Sequence, residues 1–120
     1  MEEMESREEL RKWAERLRES GKAIIVEGKK DKASLSDLGI DNVVTLKKPL
    51  FAVVEDVAEK TKEVVILTDF DKKGKELYGK LKKDFARNGV KVDMYFREFL
   101  QKNTRLSHIE GLRRYIGNLE

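Results

Sequence analysis

The chain has no cysteine, one proline, one histidine and one glutamine in its 120 residues. Without thiols there is neither a disulfide framework nor a thiolate metal site, so any metal must take oxygen ligands or the single His108. A hard cation such as magnesium becomes the default candidate. No apolar run approaches the roughly 18 to 20 residues that cross a bilayer. The amino terminus, MEEMESREEL, is acidic where a secretory leader is basic and then apolar. The expectation is a soluble, cytoplasmic protein with no membrane partner. Repeats, low-complexity tracts and linkers are also missing, and the length of 120 residues predicts one domain.

Charge is what the chain has in quantity: charged residues make up 41% of it, yet the net charge is only +3. Residues 1–20 hold seven acids and five bases, whereas residues 72–114 hold thirteen bases and five acids. Such a local excess is the electrostatic footprint of a surface for a polyanion. A solvated Lys/Glu surface of the hyperthermophile kind fits the same composition.

Apolar periodicity divides the chain into alternating elements. Ser6 and Glu9 have capping-box spacing, and Leu10, Trp13, Ala14 and Leu17 recur at helical intervals up to Gly21. AIIV at 23–26 reads as a buried strand, followed by a helix from an Asp31 cap to about Leu38, ahead of Gly39. NVVTL at 42–46 reads as a second strand. Pro49 suits the first turn of a helix whose Leu50, Val53, Val54, Val57 and Ala58 share one face, and VVIL at 64–67 reads as a third strand. VKVDMYF from Val90 reads as a fourth. Ser107 and Glu110 repeat the capping-box spacing before a last helix bearing Ile109, Leu112, Ile116 and Leu119. This alternation predicts an α/β fold with a mostly parallel, four-stranded sheet covered by helices on both faces. Ligands of such sheets collect beyond the carboxyl ends of the strands, near the switch in strand order.

Two motifs fall at those ends. Glu27, in VEGKKD, directly follows the first strand, and Asp69 and Asp71, in VVILTDFDKKG, follow the third. If the two strands are neighbours, three carboxylates converge where like charges raise one another's pKa, and a divalent cation removes the conflict. Magnesium would keep several waters there and recruit phosphate oxygens. The plainer alternative makes Asp71 a helix cap and Asp69 a turn residue. Glu27 has no such structural excuse. Gly28 and Gly74 are turn glycines on this reading, with Gly28 allowing a sharp turn or close approach of a ligand. Lys29 and Lys30 are placed to meet phosphates or to lie in a solvated turn, and GKKDKAS is not a Walker loop because it lacks the second glycine followed by Lys and Ser/Thr.

IIVEGKKD and VVILTDFDKKG together resemble the two signatures of the Toprim domain, shared by type IA and II topoisomerases, bacterial-type primases and a set of ribonucleases and stand-alone small proteins. The resemblance covers about residues 20–100 within a single domain of 1–120. By size, and by LSHIEGL near the end, the chain is most similar to stand-alone Toprim proteins related to the ribosomal-RNA-maturing ribonucleases. The resemblance implies a Rossmann-like Toprim fold, Glu27 as general acid/base and metal ligand, and Asp69 and Asp71 as ligands of one or two magnesium ions. It also implies nucleic acid as partner, with RNA slightly ahead of DNA.

Departures from the family narrow the choice. Type IA topoisomerases carry further acids where this chain has Lys73 and Lys75, and they use a nucleophilic tyrosine on a large separate domain. Tyr78, Tyr95 and Tyr115 are therefore read as packing or rim residues. The zinc module and helicase-binding region of a primase are likewise missing. Haloacid-dehalogenase phosphatases also place Asp-x-Asp after a strand, but after their first, and with Thr or Val where this chain has Lys73.

In the helix after the second motif, Leu77, Tyr78, Leu81 and Phe85 share one face, while Lys72, Lys73, Lys75, Lys80, Lys82, Lys83 and Arg87 take the other. With only Glu76 and Asp84 to offset it, this stripe favours phosphate contact from Lys72, Lys73 and Lys75, joined by Lys29 and Lys30. No aromatics are interleaved for base stacking. His108 reads as a surface residue and Glu110 as a capping acid. The functional expectation is a magnesium-dependent nuclease, with a non-catalytic nucleic-acid adaptor as the rival.

Overall fold

The computed structural model describes the backbone of residues 2–112 and the side chains of 8–112. Its elements in order are α1 (Glu2–Ser20), β1 (Ala23–Val26), α2 (Lys29–Ser36), β2 (Val43–Thr45), α3 (Leu50–Lys60), β3 (Glu63–Ile66), α4 (Lys72–Arg87), β4 (Lys91–Asp93), α5 (Tyr95–Asn103) and a short 3-10 turn at Ile109–Gly111. The strands form one parallel sheet in the order β2-β1-β3-β4. Ile24 stands opposite Val65, and Ile25 opposite Ile66. The chain runs outward from β1 to β2 and then returns to the other side of β1 for β3. The switch in strand order therefore lies between β1 and β3, the two strands that precede the acidic motifs.

Alternation along these strands builds two cores. Ile24, Val26, Val65 and Leu67 pack on one face with Leu10, Trp13 and Leu17 of α1, Leu35 of α2, and Phe96 and Leu100 of α5. Ile25, Val64 and Ile66 pack on the other with Val53, Val54 and Val57 of α3 and Leu81 and Phe85 of α4. Leu81 and Phe85 are fully buried, each contributing about 1.5–3 kcal/mol by removal from water. The lysine-bearing side of α4 is left to solvent.

Several local expectations are corrected by tertiary packing. Helix α1 already begins at Glu2, so Ser6 lies inside it and is not its cap. Asp31 is the third residue of α2, not its cap; Gly28 is the cap, and its N–H donates to Asp31 Oδ2 at 3.1 Å. Pro49 precedes the first residue of α3. The fourth strand stops at Asp93, whose Oδ1 accepts from the Tyr95 N–H, and Tyr95 opens a helix instead of extending the sheet. Phe96 and Leu100 have helical spacing that places both against α1, and Trp13 Nε1 donates to the Phe96 carbonyl at 3.0 Å. At the start expected for the last helix a 3-10 turn follows His108, without a side-chain cap from Ser107. Tyr115, Ile116 and Leu119 lie outside the described residues.

Candidate functional site

Parallel pairing of β1 with β3 puts their carboxyl ends side by side. Beyond the last ladder pair, the Leu67 N–H donates to the Ile25 carbonyl at 2.8 Å. Two residues later the Asp69 N–H donates to Glu27 Oε2 at 2.9 Å. The glutamate is thus a clasp between the two strand ends, and its other oxygen has no hydrogen-bond partner among the described residues.

Asp69 is 9% exposed, and its Oδ1 accepts from the Ile109 N–H at 2.7 Å. This carboxylate, 40 residues away in sequence, takes the part that Ser107 was expected to play at the start of the last turn. The Phe70 N–H donates to the Ser107 carbonyl at 2.9 Å, so residues 107–109 are zipped onto the Asp-x-Asp loop. Asp71 caps α4: its Oδ1 accepts from the Gly74 N–H at 2.8 Å, while its Oδ2 lies 3.4 Å from His108 Nε2. Capping therefore occupies only one of its oxygens and leaves the other at the site.

Gly74 is fixed by space. A Cβ there would stand 2.0 Å from the Asp69 carbonyl oxygen, and the Thr68 hydroxyl donates to the Gly74 carbonyl at 2.8 Å. The start of α4 can lie this close to the Asp69 backbone only without a side chain. Gly28 differs from expectation: its φ of −150 and ψ of −177 are ordinary extended values, and a Cβ would meet nothing within 4 Å. No sharp turn or protein contact requires glycine there.

Two further charged groups, Asp31 and Arg97, adjoin the cluster. Asp31 is 5% exposed. Burial pushes its carboxyl up, against the Gly28 N–H, and the negative fields of Asp69, Glu27 and Glu110 push the same way. Arg97, on α5, is 4% exposed and donates through Nη2 to the Asp69 carbonyl at 2.6 Å and through Nε to the Thr68 carbonyl at 3.2 Å. Its guanidinium lies over the rings of Phe70 and Tyr78, at 4.6 and 4.5 Å from their centroids. Burial draws its pKa below the ordinary arginine value, and Tyr78, Asp69 and Glu27 oppose that shift. Arg97 is the buried cation that holds the loop and partly balances the acids. Sequence reasoning missed it because the strand read over VKVDMYF stopped at Phe96 and hid the helix that carries Arg97.

One oxygen from each of Asp69 and Asp71 and one nitrogen of His108 lie within 4.8 Å of one another. Glu27 adjoins this group through Asp69 but is not one of the three. Lys29 opens α2 two residues after Glu27, with Lys30 next, and Lys72 opens α4 directly after Asp71, with Lys73 and Lys75 in its first turn. All five are exposed and make no ion pair among the described residues.

The pairing of β1 with β3 meets the condition under which the glutamate after β1 and the Asp-x-Asp after β3 converge. The sequence profile of the Toprim domain matches residues 21–95. The chain belongs to the Toprim domain family. Its relatives include UPF0292 proteins of three archaea. That of Methanocaldococcus jannaschii is 36% identical over 100 residues, covering 79% of this chain and 78% of the relative. That of Methanosarcina acetivorans is 36% identical over 120 residues, covering 97% and 83%. The Pyrococcus furiosus protein is 43% identical over 98 residues, covering 81% and 74%. Among solved structures, a protein from Aquifex aeolicus superposes with a TM-score of 0.77 at 36% identity, over 82% of this chain and 94% of that one. The zinc-binding and RNA polymerase domains of the Aquifex aeolicus primase superpose with a TM-score of 0.56 at 31% identity, over 88% of this chain but 27% of that one.

The donor set suits a divalent cation: two carboxylates and an imidazole, each with one heteroatom that has no hydrogen bond among the described residues, Asp71 and His108 being about half exposed. Toprim domains typically bind magnesium, and the acidic pair needed for it is assembled here.

Proposed function

We propose that this Toprim protein is a divalent-cation-dependent phosphodiester hydrolase acting on nucleic acid, with RNA slightly ahead of DNA as substrate and the cytoplasm as its setting. The observation that carries the reading is the clustering of Asp69 and Asp71, with Glu27 bonded to the Asp69 N–H, at the switch point of the sheet, beside five lysines that make no ion pair among the described residues. Magnesium, as one or two ions, would supply charge stabilisation at the attacking and leaving oxygens. Asp69 and Asp71 would hold the cation, each having one oxygen beyond those bonded to the Ile109 and Gly74 N–H groups. Glu27, anchored at Oε2 by the Asp69 N–H, offers its second oxygen as a metal ligand and as the acceptor of a proton from the attacking water. Lys29, Lys30, Lys72, Lys73 and Lys75 position the phosphates.

The test is cleavage of structured RNA and of duplex and single-stranded DNA with magnesium, with chelator, and with Asp69→Asn. Magnesium-dependent products that vanish in chelator and in the variant support the reading. Absence of products from every substrate, or products unchanged in Asp69→Asn, would overturn it. One observation favours a second reading, a nucleic-acid adaptor without turnover: Glu27 already serves the Asp69 backbone. Binding that survives chelator and Glu27→Gln, with no cleavage, would establish that role.

A further inference from the structure

We propose that His108 is an inner-sphere ligand of the ion held by Asp69 and Asp71, and that this nitrogen donor makes the site prefer manganese to magnesium. The inference rests on the reading of this pocket as a cation site and adds to it a ligand and a class of metal.

The three donors are prepared in the same way. Asp69 commits Oδ1 to the Ile109 N–H, and Asp71 commits Oδ1 to the Gly74 N–H. His108 Nδ1 lies 3.0 Å from the Ser107 hydroxyl. When Nδ1–H donates to that hydroxyl, the neutral ring presents the Nε2 lone pair, the arrangement that partners of metal-bound histidines enforce. Nε2 is the atom that faces Asp71 Oδ2. Their 3.4 Å separation is long for a hydrogen bond, but it matches the roughly 3 to 3.4 Å between adjacent ligands about 2.1 Å from a shared ion. The outer span of 4.8 Å is little more than the about 4.2 Å between ligands opposite one another. Asp71 and His108 side chains are 45% and 51% exposed, free to rotate through the difference.

The imidazole is brought there by main-chain bonds on both sides of it. The Ser107 carbonyl and the Ile109 N–H both bond the Asp-x-Asp loop, so His108 is pinned at the rim from its two neighbours. Magnesium demands hard oxygen ligands and dehydrates reluctantly, so an imidazole adds little to its binding. First-row transition ions accept nitrogen readily and gain from it. Two carboxylates and one imidazole thus form a mixed site that serves manganese better.

The experiment uses the full chain with Mn2+ and Mg2+ as probes. Calorimetric titration gives affinities for the wild type, His108→Ala and Asp69→Asn, and pulsed electron paramagnetic resonance of the Mn2+ complex reads nitrogen coupling directly. We expect tighter binding of Mn2+ than Mg2+ and a 14N coupling in the wild type. His108→Ala should lose that coupling and weaken Mn2+ on the order of tenfold or more, with Mg2+ affinity changing about twofold or less. Thermal melting of the ion-free proteins checks that the exposed substitution leaves the fold intact. Mn2+ binding that Asp69→Asn abolishes, but with no 14N coupling and no change in His108→Ala, overturns this inference while the cation site stands. Failure of the wild type to bind either ion overturns both.

Discussion

Glu27 accepts the Asp69 backbone N–H at 2.9 Å, so the residue just after β1 fixes a loop position three residues beyond the last ladder position of β3. One carboxylate is both a structural clasp and a candidate for chemistry, and substitutions can separate the two.

Glu27→Gln keeps an oxygen for the Asp69 N–H but removes the charge. It is expected to cost under about 1 kcal/mol of stability, whereas Glu27→Ala leaves that N–H unpaired and costs about 1–3 kcal/mol. If Glu27 manages a proton, both should lower the cleavage rate by about 10²–10⁴-fold. Chemical denaturation and initial-rate assays on the same two variants provide the comparison.

Gly74→Ala is expected to destabilise by about 1–3 kcal/mol, because its Cβ would stand 2.0 Å from the Asp69 carbonyl oxygen. It should also weaken cation binding by displacing Asp69 from Asp71. Gly28→Ala meets nothing within 4 Å and has an ordinary extended backbone, so its stability should change by less than about 1 kcal/mol. Equal losses in the two variants, measured by thermal unfolding, would contradict the packing at Gly74.

Asp31 gives a signed pH dependence. Burial and the nearby acids raise its folded pKa, so the folded state binds this proton more tightly than the unfolded chain. The stabilisation from protonation is complete below the ordinary aspartate value near 3.9 and is lost as pH rises through the folded value. Asp31→Asn keeps an acceptor for the Gly28 N–H and removes the charge. It should be more stable than the wild type near neutral pH, with the gain vanishing as pH falls below about 4. Urea midpoints at several pH values test this; a gain that grows on acidification would show the shift to be of the opposite sign.

The five exposed lysines are expected to act through phosphates. Each phosphate-contacting lysine changed to alanine should reduce the slope of log affinity against log salt by about 0.9 on duplex DNA or about 0.7 on a single strand. Lys72→Ala and Lys73→Ala should show this in filter binding, whereas Lys60→Ala, at the far end of α3, should not. An unchanged slope in all three would remove the lysines next to the acids from the interface.

The Asp-x-Asp motif, the glutamate after the first strand and the α/β alternation were legible because they are local. A buried parallel strand announces itself as a short apolar run, and a helix by spacing of three and four residues. VKVDMYF misled because its first half pairs with β3 while its second half winds into α5, a division set by packing of Phe96 and Leu100 against α1. Arg97 was hidden by that same misreading. Ser107 was assigned a cap that Asp69 supplies instead.

By itself the sequence determined the alternating elements, the two acidic motifs and the lysine-bearing face of α4, since each depends on residues within a few turns of one another. Only the tertiary structure decided that β1 and β3 are neighbours, that Glu27 clasps Asp69, and that His108 and Arg97 lie beside the aspartates. Those facts depend on hydrogen bonds spanning 28 to 42 residues, and no local pattern encodes which distant carbonyl or carboxylate will be there to accept them.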